Sequence, residues 1–271
     1  MLVKIALAQM NSSVEVDANL ATLSRLCREA ASAGAGMLFA PEYALCVTPD
    51  PAAALTGKDE FVMAALSEIA AECGLWLHAG SVQLKAADAN DLRRANASLV
   101  FSPDGGLVAR YDKVHLFEAS LADGEIWREA EVYAPGDRLV TVSTPLGLLG
   151  LATCYDVRFP AVFDAYSRVP VDAIAVPAAF TAQTGRAHWH ILLRARAIET
   201  QAFVIGAAQV GQHCDGRQTY GHSLVIDPWG TILLDMGENI GLGCCDIDLA
   251  QLAHARRQIP ALANKAEFIW P

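Results

Sequence analysis

The chain has 271 residues, and its 20 Lys and Arg against 30 Asp and Glu give a formal net charge of −10. Hydrophobic residues make up 53% and charged residues only 18%, which excludes a disordered protein, since such chains combine low hydrophobicity with high charge. The excess of acid also argues against a nucleic-acid partner, because phosphate contacts need clustered Lys and Arg.

Strand-like and helix-like patterns alternate through the first part of the chain. Residues Asp17–Ala33 place apolar side chains on one helical face, and Gly34 ends this helix. Lys58–Cys73 is amphipathic again and stops at Gly74. Short apolar runs predict buried strands at Leu2–Gln9, Met37–Phe39 and Leu75–Gln83.

Later in the chain, turn-forming residues separate pairs of short strands and predict hairpins. The pairs are Ala97–Phe101 with Leu107–Tyr111, Leu139–Val142 with Leu148–Thr153, and Ser223–Ile226 with Thr231–Asp235. Further predicted elements are strands at Ala173–Val176, Phe203–Ala208 and Gly243–Ile247 and helices at Phe159–Arg168, His188–Gln201 and Leu249–Gln258. Together they predict an α/β fold in which two mixed sheets pack face to face, each covered by helices, as a four-layer α-β-β-α sandwich. No linker or repeat divides the chain, so we expect residues 1–271 to form one domain.

Seven cysteines are scattered along the chain, an odd number that does not suggest a disulfide framework. Free thiols are typical of a reducing compartment. The apolar run at the N-terminus is shorter than that of a signal peptide, and no stretch is long enough to span a membrane. We therefore expect a cytoplasmic protein without a membrane partner. No glycine-rich nucleotide fingerprint follows a strand, and no cofactor is expected.

Three polar residues stand at the ends of predicted strands, where loops carry function on a rigid scaffold. They are Glu42, Lys113 and Cys154. A cysteine between a strand and a helix resembles a nucleophile elbow. Taken singly, each residue also fits an ordinary role as core thiol, loop acid or surface lysine. Taken together, a thiol, a carboxylate and a fixed cation are what acyl transfer requires.

Five motifs resemble those of the nitrilase-like carbon–nitrogen hydrolases, and they occur in the order and spacing of that family between Lys4 and Arg257. The motifs are Pro41-Glu42, Tyr111 to Phe117 (YDKVHLF), Cys154 to Pro160 (CYDVRFP), His188 to Gln201 (HWHILLRARAIETQ) and Tyr220 to Gly230 (YGHSLVIDPWG). The resemblance implies the same α-β-β-α sandwich, a homodimer, and an amidase that uses a covalent thioester. It assigns Glu42 as general base, Lys113 as oxyanion stabiliser and Cys154 as nucleophile.

The family carries a second active-site glutamate between the lysine and the cysteine. The best match in this chain is Glu129, within Trp127 to Ala130. The loop Glu118–Ile126 departs from the usual pattern, which leaves Glu125 and Glu131 as alternatives.

Within the family, the chain is most similar to the branch that hydrolyses ω-amides of α-keto dicarboxylates, including deaminated glutathione. Arg158 and the segment from Ala179 to Trp189 carry this likeness, which assigns Tyr155, Arg158, Phe180 and Thr184 to the substrate pocket. A guanidinium suits an anionic small-molecule amide, because it binds a carboxylate in a bidentate manner. An ion pair with Asp156 is the structural alternative for Arg158. Other functions kept open are a general ω-amidase acting on 2-oxoglutaramate, an N-carbamoyl hydrolase, and a scaffold protein that retains only the fold.

Signals for a metal site are weak, and none is predicted. His188 and His190 point to different faces of a helix, and Cys244 and Cys245 point to opposite faces of a strand. His190 also stands where relatives often have Glu. His213-Cys214 lies in a polar segment that is typical of a surface turn.

Overall fold

The computed structural model describes residues 1–51, 53–88, 90–120, 126–266 and 269. The strands are β1 (Leu2–Gln9), β2 (Met37–Phe39), β3 (Trp76–Lys85), β4 (Arg94–Phe101), β5 (Leu107–Asp112), β6 (Glu118–Ser120), β7 (Ile126–Arg128), β8 (Val140–Thr144), β9 (Gly147–Leu151), β10 (Ala173–Ala175), β11 (Phe203–Gly206), β12 (Val210–Gln212), β13 (Gln218–Tyr220), β14 (Leu224–Ile226), β15 (Ile232–Asp235) and β16 (Gly241–Asp248). The helices are α1 (Val16–Ser32), α2 (Asp59–Cys73), α3 (Pro160–Arg168), α4 (Ala182–Thr200) and α5 (Ala250–Gln258).

Two six-stranded mixed sheets form the frame of the molecule. The strand order is β16-β1-β2-β3-β4-β5 in the first sheet and β15-β14-β11-β10-β9-β8 in the second. Strands β1, β2 and β3 run parallel, as do β9, β10 and β11, while the outer strands pair antiparallel. Two short ribbons, β6 with β7 and β12 with β13, lie outside these sheets.

The two sheets pack face to face and carry helices on their outer faces. One apolar cluster joins both sheets, with Leu7 and Phe39 from the first and Leu151 and Ile205 from the second. A second cluster packs α1 and α2 against the first sheet, and a third packs α3 and α4 against the other. This confirms the predicted four-layer α-β-β-α sandwich.

Strand β1 shows why the buried strands read as continuous apolar runs. Alternate side chains point to opposite faces of a strand. Ile5 and Leu7 accordingly join the cluster between the sheets, whereas Ala6 and Ala8 pack beneath the helices. Because both faces are covered, Ile5 to Ala8 are all apolar, and the buried Gln9 that follows them donates hydrogen bonds to the carbonyls of Gly237 and Asn239.

The structure corrects the prediction for α4, which begins at Ala182 instead of His188. Thr181 caps the helix, since its hydroxyl accepts a hydrogen bond from the Thr184 N–H. Gly185 does not interrupt the helix. A Cβ at this position would come within 2.4 Å of Tyr220, so glycine allows the helix to pack against that ring.

The sandwich brings the carboxyl ends of β2, β5 and β9 to one edge. Parallel strands end on the same side of a sheet, and the loops that follow them are the usual place for a ligand site. Glu42, Lys113 and Cys154 follow these three strands. Among the described residues, no helix is both long and apolar enough to cross a membrane.

Candidate active site

Glu42 is buried at 1% exposure and held by three donors. Its Oε1 accepts hydrogen bonds from Asn96 Nδ2 and from Lys113 Nζ, both at 2.9 Å. Its Oε2 accepts the backbone N–H of Ala179 at 2.8 Å. The carboxylate is therefore fixed in position at the bottom of the site.

Lys113 lies between two carboxylates. Its Nζ is 2.9 Å from Glu42 Oε1 and 2.8 Å from Glu129 Oε2, and the side chain is 2% exposed. Burial by itself would lower the pKa of Lys113, but the charges of Glu129 and Glu42 outweigh burial and raise that pKa well above its ordinary value. Lys113 is thus a fixed ammonium group at any pH near neutrality.

Glu129 anchors this lysine from the other side. It follows β7 in a 3₁₀ turn, Glu129–Glu131. Its Oε1 accepts from Tyr43 Oη at 2.6 Å and from Asn96 Nδ2 at 3.1 Å, and its Oε2 accepts from Lys113 and from the Phe117 N–H at 2.6 Å. Burial by itself would raise the pKa of Glu129, but Lys113 and these hydrogen bonds hold it below the ordinary value.

The two alternatives to Glu129 lie elsewhere. Glu131 has a side chain that is 66% exposed and pairs with Arg128 at 3.2 Å. Glu125 is outside the described residues. Of the candidates that the structure describes, Glu129 is the one that reaches Lys113.

Cys154 stands at a sharp turn between β9 and α3. Its φ of 45° lies in the left-handed region, which is uncommon for a residue with a side chain and costs conformational energy. The residues Cys154–Arg158 form a 3₁₀ turn, and the Cys154 N–H donates to the Pro177 carbonyl at 2.9 Å. The strand–cysteine–helix geometry expected from the sequence is present, with a 3₁₀ turn inserted before the helix.

The resting state of Cys154 is a protonated thiol. Burial raises the pKa of Cys154 well above its ordinary value, and the charge of Glu42 and its hydrogen bond with the thiol raise it further. The nearby Lys113 acts in the opposite direction but does not overcome these effects. Lys113 therefore does not by itself create a thiolate, and the proton must be removed during the reaction.

Asp156 supports the turn that carries Cys154. It is fully buried, and its Oδ2 accepts from Tyr111 Oη at 2.7 Å and from the Thr153 N–H at 2.8 Å. Its Oδ1 accepts the His115 N–H at 3.0 Å and lies 2.8 Å from His115 Nδ1. Asp156 thus ties the cysteine turn to the segment that follows β5. The sequence did not single out this role, although Asp156 lies within the cysteine motif.

Arg158 does not pair with Asp156. Its Nη1 lies 3.2 Å from His188 Nδ1, and its guanidinium lies 5.0 Å from the centre of the Phe180 ring. The structural alternative considered for this arginine is therefore wrong. Because no carboxylate pairs with Arg158 among the described residues, its guanidinium can bind an anion.

A cleft with a volume of about 180 Å³ lies above these residues. All eight residues assigned to the site from the sequence line it. They are Glu42, Lys113, Glu129, Cys154, Tyr155, Arg158, Phe180 and Thr184. Arg217 and Trp127 also line the cleft, and sequence reasoning missed both of them.

The prediction that His213-Cys214 lies in a surface turn is confirmed for Cys214, which is exposed in the turn between β12 and β13, but not for His213. The His213 side chain is buried, with Nδ1 at 3.0 Å from the Ser12 carbonyl and Nε2 at 2.8 Å from Thr219 Oγ1. The turn between β12 and β13 is thereby fixed to the body of the protein. It carries Arg217 into the cleft.

His190 pairs with Asp235, away from the catalytic cluster. His190 Nε2 lies 3.0 Å from Asp235 Oδ2, and His222 Nδ1 lies 2.9 Å from Asp235 Oδ1. The imidazole nitrogens and carboxylate oxygen of these three residues that could ligate a metal ion lie within 4.8 Å of one another. Each carboxylate oxygen already has an imidazole partner, so hydrogen bonding by itself accounts for the arrangement.

Comparison with known proteins agrees with this geometry. The family model for carbon–nitrogen hydrolases matches residues 4–257. The chain is 38% identical to human deaminated glutathione amidase over 266 residues, which cover 96% of this chain and 81% of that protein. It is 37% identical to deaminated glutathione amidase from Yersinia enterocolitica, covering 96% of this chain and 92% of that protein. The crystal structure of the C. elegans NitFhit protein superposes with a TM-score of 0.89 at 33% identity, and the match covers 97% of this chain but 65% of that longer one. The match over nearly the whole chain shows that this protein belongs to the carbon–nitrogen hydrolase family and is a hydrolase of carbon–nitrogen bonds other than peptide bonds.

Proposed function

We propose that this protein hydrolyses the ω-amide bond of an α-keto acid, with deaminated glutathione as its substrate, through a thioester on Cys154. The observation that carries the proposal is the shared carboxylate of Glu42, which bonds to Lys113 and faces the Cys154 thiol at the base of the cleft. The names of the relatives from human and Yersinia support the choice of substrate.

The first half of the reaction forms the thioester. Glu42 accepts the thiol proton as Cys154 Sγ attacks the amide carbonyl, because the raised pKa of the thiol leaves this proton in place until attack. The carbonyl oxygen gains negative charge, which the Lys113 ammonium stabilises. Glu42 then passes the proton to the leaving nitrogen, the carbon–nitrogen bond breaks, and the amine departs.

The second half releases the acid. Glu42, now ionised again, accepts a proton from water, and the resulting hydroxide attacks the thioester carbonyl. Lys113 again stabilises the oxyanion, the carbon–sulfur bond breaks, and Cys154 recovers a proton from Glu42. In this scheme Glu129 never meets the substrate and acts as a positioning residue for Lys113, which it contacts at 2.8 Å.

Substrate recognition on the acyl side is assigned to the other predicted residues. Arg158 supplies a guanidinium without a carboxylate partner among the described residues, which suits the α-keto carboxylate. Thr184 supplies a hydroxyl, which lies 2.7 Å from that of Thr181. Tyr155 and Phe180 supply apolar walls beside it.

Steady-state kinetics on three substrates side by side test the proposal. They are deaminated glutathione, 2-oxoglutaramate and an N-carbamoyl amino acid. The proposal expects the highest kcat/KM on deaminated glutathione. A preference for 2-oxoglutaramate would indicate a general ω-amidase, and turnover of the N-carbamoyl compound alone would contradict the keto-acid assignment.

We also propose a cytoplasmic homodimer. The seven cysteines are all free, as a reducing compartment would keep them. Helix α4 exposes Ile191 and Ile198 at 68% and 49%, seven residues apart on one face. Trp229, 53% exposed, precedes Gly230, where an added Cβ would come within 2.7 Å of Ile198, and exposed apolar side chains of this kind suit contact with a partner subunit. Sedimentation equilibrium of the wild-type chain and of Ile198→Glu tests the dimer.

A further inference from the structure

The cleft contains a second buried cation that the reaction as described does not use. Arg217 lies in the turn between β12 and β13, and its side chain is 12% exposed. Its guanidinium lies 4.7 Å from the centre of the Trp127 ring and 5.7 Å from that of Tyr43. Aromatic contacts of this kind hold the planar group in one orientation.

The hydrogen-bonding capacity of Arg217 is only partly used. Its Nη2 forms an ion pair with Asp215 Oδ2 at 2.9 Å. Its Nε is buried and has no hydrogen-bond acceptor among the described residues. A guanidinium carries five N–H donors in a rigid fork, and a buried donor without an acceptor is costly. Because Arg217 lines the cleft, an incoming carboxylate would bind N–H groups of the guanidinium other than this buried Nε.

Three arginines line the cleft, and two of them adjoin different members of the catalytic cluster, whereas Arg128 is exposed and pairs with Glu131. Arg158 is on the same 3₁₀ turn as the nucleophile Cys154. Arg217 contacts the ring of Tyr43, which directly follows the general base Glu42. In the proposed reaction the acyl group bonds to Cys154, while Glu42 protonates the leaving nitrogen. Since the proposed function assigns Arg158 to the acyl side, Arg217 is the buried guanidinium left for the leaving group.

We propose that Arg217 binds the free carboxylate at the end of a peptide leaving group and so selects an amide with a peptide tail over a free amide. The inference rests on the proposed function and sharpens its substrate. Deaminated glutathione has two carboxylates, one on the α-keto end and one on the terminal glycine of the leaving dipeptide. 2-Oxoglutaramate has only the first. Arg158 and Arg217 together provide one guanidinium for each carboxylate of the longer substrate.

The test changes the tail carboxylate and the arginine separately. The substrates are deaminated glutathione, the same compound with its terminal glycine as the amide, and 2-oxoglutaramate. The variants are Arg217→Gln and Arg217→Lys. Arg168→Gln is the matched control, since this exposed arginine pairs with Asp164 on α3, outside the cleft lining.

Arg217→Gln should lower kcat/KM on deaminated glutathione by about 10- to 100-fold, the usual range for a hydrogen bond to a charged group. Activity on 2-oxoglutaramate should not change. Amidation of the tail should cost the wild-type enzyme a similar factor and cost Arg217→Gln nothing, because the partner of the carboxylate is already gone. Arg217→Lys should recover part of the loss, since it keeps the charge without the fork.

If Arg217→Gln lowers kcat/KM equally on deaminated glutathione and on 2-oxoglutaramate, the inference is overturned. Arg217 would then have a packing role against Tyr43 and Trp127. Equal wild-type activity on the acid and the amidated tail would also overturn the inference. Both of these results leave the proposed function standing. Absence of wild-type activity on deaminated glutathione would instead refute the proposed function, and the inference with it.

Discussion

Replacing Glu129 by glutamine tests the positioning of Lys113, because every hydrogen-bond partner of the Glu129 carboxylate is a donor. Tyr43 Oη and Asn96 Nδ2 reach one oxygen, and Lys113 Nζ and the Phe117 N–H reach the other. A glutamine must turn its NH₂ group toward one of these pairs. The Tyr43 hydroxyl can rotate to accept, but Asn96 cannot flip without turning its oxygen toward Glu42.

The magnitude follows from these contacts. Removing one partner from a buried ion pair destabilises a protein by about 3–5 kcal/mol. Lys113 keeps Glu42 at 2.9 Å, so the cost of Glu129→Gln should lie near the lower end, at about 3 kcal/mol. The value of kcat should also fall, since Lys113 loses one of the two carboxylates that fix its position.

Urea unfolding at pH 7, followed by far-UV circular dichroism, measures the stability change. The matched control is Glu131→Gln, two residues away, whose exposed ion pair with Arg128 should contribute less than about 1 kcal/mol. A loss for Glu129→Gln no larger than for Glu131→Gln would refute the assignment of Glu129 as the buried anchor of Lys113.

Three further predictions concern the catalytic cation, the substrate and the core. Lys113→Ala should lower kcat by about 10²- to 10³-fold with little change in KM, since an oxyanion donor acts on charge that exists only in the transition state. The variant is first checked for folding, and a change in KM alone would mean that Lys113 binds substrate instead. Arg158→Ala should lower kcat/KM on the keto acid by about 30- to 5,000-fold and barely affect a neutral amide; equal losses would contradict a carboxylate contact. Burial lowers the pKa of His78 to about 3 in the folded protein, whereas in the unfolded chain the pKa is about 6.5. Between these two pH values the unfolded chain binds a proton at His78 and the folded protein does not. Stability should therefore fall by about 2 kcal/mol from this group as the pH drops from 7 to 5, and His78→Gln should lose that part of the pH dependence of the urea midpoint.

The sequence predicted the sandwich well because its strands are buried on both faces and its hairpins carry strong turn signals. Strand β1 and the turn at Pro103 to Gly106 are examples. The start of α4 was missed because Gly185 reads as a breaker, and only its packing on Tyr220 explains why the helix continues. The ribbon β12–β13 has strands of three residues, too short for a periodic pattern.

The candidate site likewise contains residues that the sequence predicts and residues that only the structure reveals. Residues that follow strands, such as Glu42 and Cys154, stand out in the sequence because strand ends are recognisable. Residues that act through contacts across the fold do not. Asn96 lies within a strand and reads as an ordinary β-sheet position, yet it donates to both Glu42 and Glu129. Arg217 follows a polar turn, and only the tertiary contacts with Tyr43 and Trp127 bring it to the cleft.

The central claim is that Cys154 carries the acyl group, and trapping the intermediate tests it most directly. The wild-type enzyme is mixed with excess deaminated glutathione, quenched in acid during turnover, digested, and mapped by mass spectrometry. We expect the 2-oxoglutaryl group as a thioester on the peptide that contains Cys154, with no turnover in Cys154→Ala. An acyl group on a different residue, or full activity of Cys154→Ala, would contradict the account.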